Sequence, residues 1–283
     1  QVLVEWQASP DAQPDRYSLA FSHHVLFDYA VARLLFRGNA ETVIGRLAED
    51  PDLVIVIRPS LVLHFRHLWD VPPDRQAFWD LVFLVIANPK IPELGKLIGP
   101  TVAAELARSM QDLEPLCAAL EEQDKDKQRL ADDALRHLVG ALLAGTGGET
   151  LSGPNTGPWC ELLERVSRNL RQSVAYTVRS LLVTLCDQPE VFTPEQRNLA
   201  GLTARRLLEF AWSQVSRDSW LVIHALQCVC RTFESDAAAS ASLIRRCLEP
   251  ARLAQFGFEE MPWLAREVKR LIRFDPALVV DIY

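Results

Sequence analysis

The sequence predicts an all-α protein assembled as a run of helix pairs. Three observations carry that expectation. Apolar residues recur at three- and four-residue intervals along most of the chain. Prolines and short polar residues stand where these periodic stretches begin, the positions at which helices are capped. After residue 21 no stretch alternates apolar and polar residues as a half-buried strand would.

The first 20 residues are polar, with Pro10, Pro14 and two short apolar pieces, Val2–Trp6 and Tyr17–Phe21, that can pair as strands. A helix over His23–Arg37 follows, with Val25, Leu26, Tyr29, Ala30, Ala32 and Leu34 as its expected buried stripe. Gly38 stops it, and Asn39 caps a second helix over Ala40–Glu49. Pro51 opens a third, running to about Trp69 with a break at Pro59.

Further on, helices are expected at Pro72–Ala87, Pro92–Leu97, Pro100–Ser109 and Asp112–Glu122, then, after the charged elbow Asp124-Lys125-Asp126-Lys127, a long one to Ala144. Gly145–Pro158 is rich in Gly, Ser, Thr and Pro without apolar period, and residues 145–157 read as a flexible loop. Beyond it the expected helices are Pro158–Leu170, Ser173–Cys186, Pro194–Val215, Ser219–Phe233, Asp236–Leu248, Pro250–Phe256 and Pro262–Arg273. A last one begins at Asp275-Pro276.

Grouped in pairs, the starts near 72, 110, 158, 194 and 236 lie roughly 38, 48, 36 and 42 residues apart. That is close to the period of HEAT- or armadillo-type helical repeats, so an α-solenoid is expected over residues 38–283, after a small N-terminal piece over residues 1–37. No residue-level consensus repeats, and a compact orthogonal bundle is the competing arrangement.

Composition narrows the function classes. The chain has 283 residues, 49% hydrophobic and 24% charged, with a formal net charge of −7. That acidity argues against general attraction to nucleic acid or to an anionic membrane. Only five of the 30 basic residues are Lys. The apolar runs Leu53–Phe65 and Trp79–Ala87 are too broken or too short to span a bilayer. The six cysteines are scattered, and Cys228-x-Cys230 has no second pair to make a zinc or redox spacing. They read as buried thiols of a cytoplasmic protein. The chain begins at Gln1 without an initiator methionine, and a segment of a longer protein is expected.

No catalytic constellation stands out, and no catalytic or metal residue is assigned. The Gly-rich run Gly145–Gly157 follows a helix and holds no Lys, unlike a phosphate-cradling loop. His64-x-x-His67, with Asp70 three residues on, is the nearest thing to a metal half-site, and equally the polar side of a helix. Arg165, Arg168 and Arg171, joined by Arg179, form a candidate basic stripe; Arg205-Arg206 and Arg245-Arg246 are smaller clusters. Interspersed Glu161 and Glu164 favour salt-bridged surfaces over nucleic-acid contact for these residues.

One stretch carries a family likeness. Phe21, His23, Asp28, Tyr29 and Ala32 give F-x-H-x(4)-D-Y-x-x-A. This resembles the end of the winged-helix domain in STAND NTPases of the NACHT type, roughly F-x-H-x-x-F-x-E-[YF]-x-A-A. Leu26 stands for the family's aromatic, Asp28 for its Glu and Val31 for its first Ala, and His24 is one residue out of register. The likeness covers about the first 37 residues. It implies that His23 contacts a phosphate of ADP held by an upstream nucleotide domain, with no cofactor bound by this segment alone. It also implies that the helical repeats bind a protein partner as the regulatory or sensor part of a bacterial signalling or defence ATPase. A stand-alone repeat scaffold without any NTPase is the alternative.

Overall fold

Helix starts in this chain are fixed by local chemistry that the sequence displays. Asn39 Oδ1 accepts from the Thr42 N–H at 3.0 Å and from the Thr42 hydroxyl at 2.7 Å. Asp124 accepts from the N–H groups of Asp126 and Lys127. Thr193 and Gln196 form a reciprocal capping box, as do Ser109 and Asp112. Each satisfies donors that a helix N-terminus leaves without a partner.

The structure is a computed structural model that describes residues 3–6, 18–21, 23–71, 74–145, 151, 153–214, 219–253 and 261–280. It is all-helical apart from one small N-terminal ladder. Strands β1 (Leu3–Trp6) and β2 (Ser18–Phe21) pair antiparallel with Leu3 opposite Phe21 and Trp6 opposite Ser18. The expected loop residues 146–150 and 152 lie outside the described residues; Gly153–Thr156 form a 3-10 turn.

Two compact units divide the chain at Ala103/Ala104, whereas the sequence reading set its boundary at residues 37/38. In the first unit, helices α1 (His24–Leu34), α2 (Ala40–Glu49), α3 (Leu53–Val56), α4 (Arg58–Asp70), α5 (Gln76–Ala87) and α6 (Glu93–Lys96) surround an aromatic core. The division falls inside α7 (Ile98–Leu106). The expected break at Pro59 falls at Ile57, and Pro59 occupies the first turn of α4, where its missing N–H leaves no bond unmade. Phe78 meets Phe65, Trp69 and Trp79 edge-on at centroid distances of 5.6, 4.8 and 5.4 Å, the arrangement aromatic quadrupoles favour.

One expectation for α1 is overturned. Val25, Leu26, Tyr29 and Leu34, placed on its buried stripe, are exposed, at 64, 37, 58 and 69%. The side that packs on α4 instead runs through Asp28, Ala32 and Phe36, with Ala32 and Phe36 buried. Apolar residues lie on nearly every side of this helix, so periodicity alone could not select a face. Polar contacts to α4 select it: Ser60 Oγ donates to Asp28 Oδ1 at 2.9 Å, and Arg33 Nη1 donates to His67 Nε2 at 2.8 Å.

The second unit contains α8 (Met110–Glu121), α9 (Lys125–Ala144), α10 (Gly157–Ser167), α11 (Gln172–Leu185), α12 (Pro194–Ser213) and α13 (Ser219–Arg231). After them come α14 (Ala237–Cys247), α15 (Pro250–Leu253), α16 (Met261–Lys269) and α17 (Pro276–Val280). Helix α8 packs on α9 and α10, α9 on α11, α10 on α11 and α12, α11 on α12 and α13, and α12 on α13. Helix α16 packs in turn on α13. Two rows result, α8–α10–α12 and α9–α11–α13–α16. No helix among the described residues is long and apolar enough to cross a membrane.

Closeness of packing differs sharply between two helical glycines. A Cβ at Gly201 of α12 would stand 2.1 Å from Ser235 Oγ, whereas one at Gly140 of α9 would meet nothing within 4 Å. Gly140→Ala should raise stability by ~0.5–1 kcal/mol through helix propensity. Gly201→Ala should lose that gain to overpacking and end ~1–2 kcal/mol less stable. Thermal unfolding of the two variants checks both; equal shifts would show that α12 does not pack as described.

Candidate functional site

Four groups of residues singled out by the sequence can be followed to their places. The first is His23. It is the N-cap of α1, in extended conformation, and its carbonyl accepts from the N–H groups of Leu26 and Phe27 at 3.0 and 3.2 Å. Its imidazole makes no capping hydrogen bond and is exposed. The backbone therefore starts the helix while the side chain projects from the junction with β2. Within the same motif Asp28 is engaged by Ser60, and Tyr29 faces solvent.

The histidines of α4 separate chemically. His64 is 8% exposed and tilts against the Phe36 ring at a centroid distance of 5.2 Å. Burial, with the nearby His67 and Arg33 charges adding to it, pushes its pKa down to about 4. His67 is exposed and accepts from Arg33. Among the described residues no three His, Cys, Asp or Glu side chains are grouped as a metal site requires.

Two members of the arginine stripe, Arg165 and Arg171, are taken up by carboxylates of neighbouring helices. Arg165 of α10 reaches α8, donating through Nε to Glu121 at 2.7 Å and through Nη1 to Glu114 at 2.5 Å. Hydrogen bonds from this guanidinium hold the Glu121 carboxyl below its ordinary value. Arg171 and the Ser173 hydroxyl converge on Asp132 of α9. Arg179 lies over the Tyr176 ring at 5.6 Å. Arg246 and Arg252 both lie over the Trp212 ring, at 5.1 and 4.3 Å from its centroid.

Glu164 is the innermost of these carboxylates, 7% exposed. It accepts from Arg168 one turn along α10 and from Arg206 of α12 at 2.8 Å. Burial alone would raise its pKa; the hydrogen bonds from the two arginines overcome this and hold it below the ordinary carboxylate value. All six cysteines are free and buried, and burial pushes the thiols of Cys117, Cys160 and Cys247 up to about 12. Such thiols are poor nucleophiles and poor metal ligands near neutral pH.

One constellation escaped the sequence reading. Asp187, Pro189, Glu190, Arg231, Lys269, Arg270, Ile272 and Arg273 line a cleft of about 480 Å³ in the second unit. The signal available for it was the i, i+3, i+4, i+7 spacing of Arg266, Lys269, Arg270 and Arg273, although α16 ends at Lys269 and Arg270–Arg273 form a 3-10 turn. Comparison with protein-family models, curated proteins and solved structures finds no match for the chain.

Acid should weaken the fold in two steps. His64, depressed from 6.5 to about 4, binds its proton more readily in the unfolded chain. The stability it confers is complete above pH 6.5 and declines down to about 4, by about 3.5 kcal/mol at ~1.4 kcal/mol per unit. Glu164, depressed below 4.5, contributes stability above that pH that is lost as pH falls through its folded value. Urea unfolding against pH should show His64→Leu flattening the upper step only. Glu164→Gln should flatten the lower step and cost about 2 kcal/mol at pH 7 by leaving Arg206 without its charged partner. An unchanged pH profile in either variant would refute that assignment.

Proposed function

We propose that this chain binds a protein partner through a HEAT-like helical array, as the non-catalytic regulatory or sensor segment of a STAND-class signalling or defence ATPase in the cytoplasm. The observation that carries the array reading is the packing order of the second unit. Every next-but-one pair from α8 to α13 packs together, as does every consecutive pair except α9 with α10, and α8–α10–α12 and α9–α11–α13 form two rows. Stacked helix pairs pack in this way because one pair cannot bury its hydrophobic faces alone. Such arrays present long surfaces suited to extended protein partners.

The ATPase context draws support from a different place. A two-stranded ladder leads almost directly into α1, as the wing of a winged helix leads into its last helix. At that junction His23 is exposed and its side chain makes no capping bond. An imidazole so placed can donate to a phosphate oxygen, and gain or loss of that contact can bias a domain rotation. The uncovered apolar side of α1, through Val25, Leu26, Tyr29 and Leu34, suits the packing of further winged-helix elements.

Two measurements test the parts separately. In the full-length gene product, wild type should retain ADP through purification, and His23→Ala should lose it or become constitutively active. A full-length protein that binds no nucleotide, or a variant that behaves as wild type, removes the ATPase reading and leaves the scaffold. Cross-linking of the purified native assembly should join partner peptides to residues 104–283. Cross-links that avoid this region altogether would remove the partner-binding reading.

A further inference from the structure

The cleft in the second unit combines charge and shape. Its floor is a pinned cation: Arg231, at the end of α13, is engaged by the Asp187 carboxylate and the Cys186 carbonyl, and its Nε lies 3.8 Å from Glu267. Glu267 is itself 3% exposed and also accepts from Arg270 at 3.3 Å. The exposed Asp187 and the buried Glu267 thus hold Arg231 between them, and Glu267 also steadies Arg270. Lys269 and Arg273 are different. Both are exposed, neither makes an ion pair among the described residues, and Arg273 rests over the Phe274 ring at 4.4 Å. Ile272, 56% exposed, adds an apolar surface to the same rim, and Pro189 adds another.

We infer that this cleft receives an acidic segment of the partner protein in which carboxylates alternate with apolar side chains. The cleft volume, about 480 Å³, is that of ordinary binding pockets. Two cations that make no ion pair among the described residues, set in a concave site of a chain with net charge −7, concentrate positive potential where the remaining surface opposes it. The acidic residues on the lip, Asp187 and Glu190, disfavour a continuous phosphate backbone. Ile272 and Pro189 offer contacts that only a ligand with apolar side chains would use. A peptide with spaced carboxylates satisfies both features; a nucleic acid satisfies neither.

This inference rests on the partner-binding reading of residues 104–283, and its test is separable from that reading. The probe is a short fluorescein-labelled peptide of alternating Glu and Leu, followed by anisotropy with the whole chain at low and high salt. Its counterpart with Gln in place of Glu and an oligothymidylate serve as controls. The Glu peptide should bind, with affinity falling as salt rises, and the Gln peptide should bind roughly tenfold more weakly. Lys269→Glu with Arg273→Glu should weaken the Glu peptide by at least roughly tenfold. Glu190→Gln, which removes an exposed like charge, should tighten it several-fold. The opposite signs keep the test decisive even where the double variant fails to fold. No binding of the Glu peptide, equal binding of the Gln peptide, an unaffected folded double variant, no tightening by Glu190→Gln, or tighter binding of oligothymidylate would each overturn the inference. None of these outcomes touches the cross-linking test of the array.

Discussion

A helix in the second unit must bury more than one side, and most of the structure there follows from that demand. Helix α10 shows the constraint plainly. Trp159, Cys160, Leu162, Leu163 and Val166 are all buried, a spread too wide for contact with a single neighbour. Contacts to α8, α11 and α12 together cover it. Helix α12 meets the same demand with small residues, Ala200, Gly201, Ala204 and Ala211, which let its neighbours approach closely. Each helix therefore depends on elements both before and after it in the chain.

Close packing of several helices leaves polar groups to be reconciled between rows, and the arginines do this. A guanidinium is a planar fork that serves two acceptors at once, so Arg165 can tie two carboxylates of α8 and Arg206 can reach both Glu164 and the Ser167 hydroxyl. A lysine ammonium could neutralise these charges but would not hold the same geometry. The excess of Arg over Lys thus has a structural use beyond any bias in composition. These pairs stabilise modestly where they are exposed. Around Glu164 and Asp132, both below 10% exposure, removing a partner leaves a charge stranded among packed helices.

What the sequence displays and what it conceals divide along sequence separation. Caps act within four residues, so Asn39 announced its helix, and the helix order read from punctuation agrees closely with the fold. The face of α1 was not legible, because Ser60 and His67, which select it, lie more than 30 residues away. The arginine stripe was visible as i, i+3 spacing, but its partners Glu114 and Glu121 lie 44 to 51 residues distant. The cleft is harder still: it joins residues near 187, 231 and 270 that no local pattern connects. The division at Ala103/Ala104 likewise arises from contacts and has no marker in composition.

The same separation bears on how the two ends of the chain can act. His23 sits where a polar side chain is not needed for the local fold: the backbone carbonyl begins α1, and Asp28 and Arg33 fix the helix to α4. Lys269 and Arg273 are similarly unneeded, since Asp187 and Glu267 together already pair Arg231 and Arg270. A folded chain satisfies most of its buried polar groups internally, so exposed ones outside the network are the places where binding costs least reorganisation. His23 lies in the first compact unit and the cleft in the second. Neither His23 nor the pair Lys269 and Arg273 is part of the helical packing of its own unit.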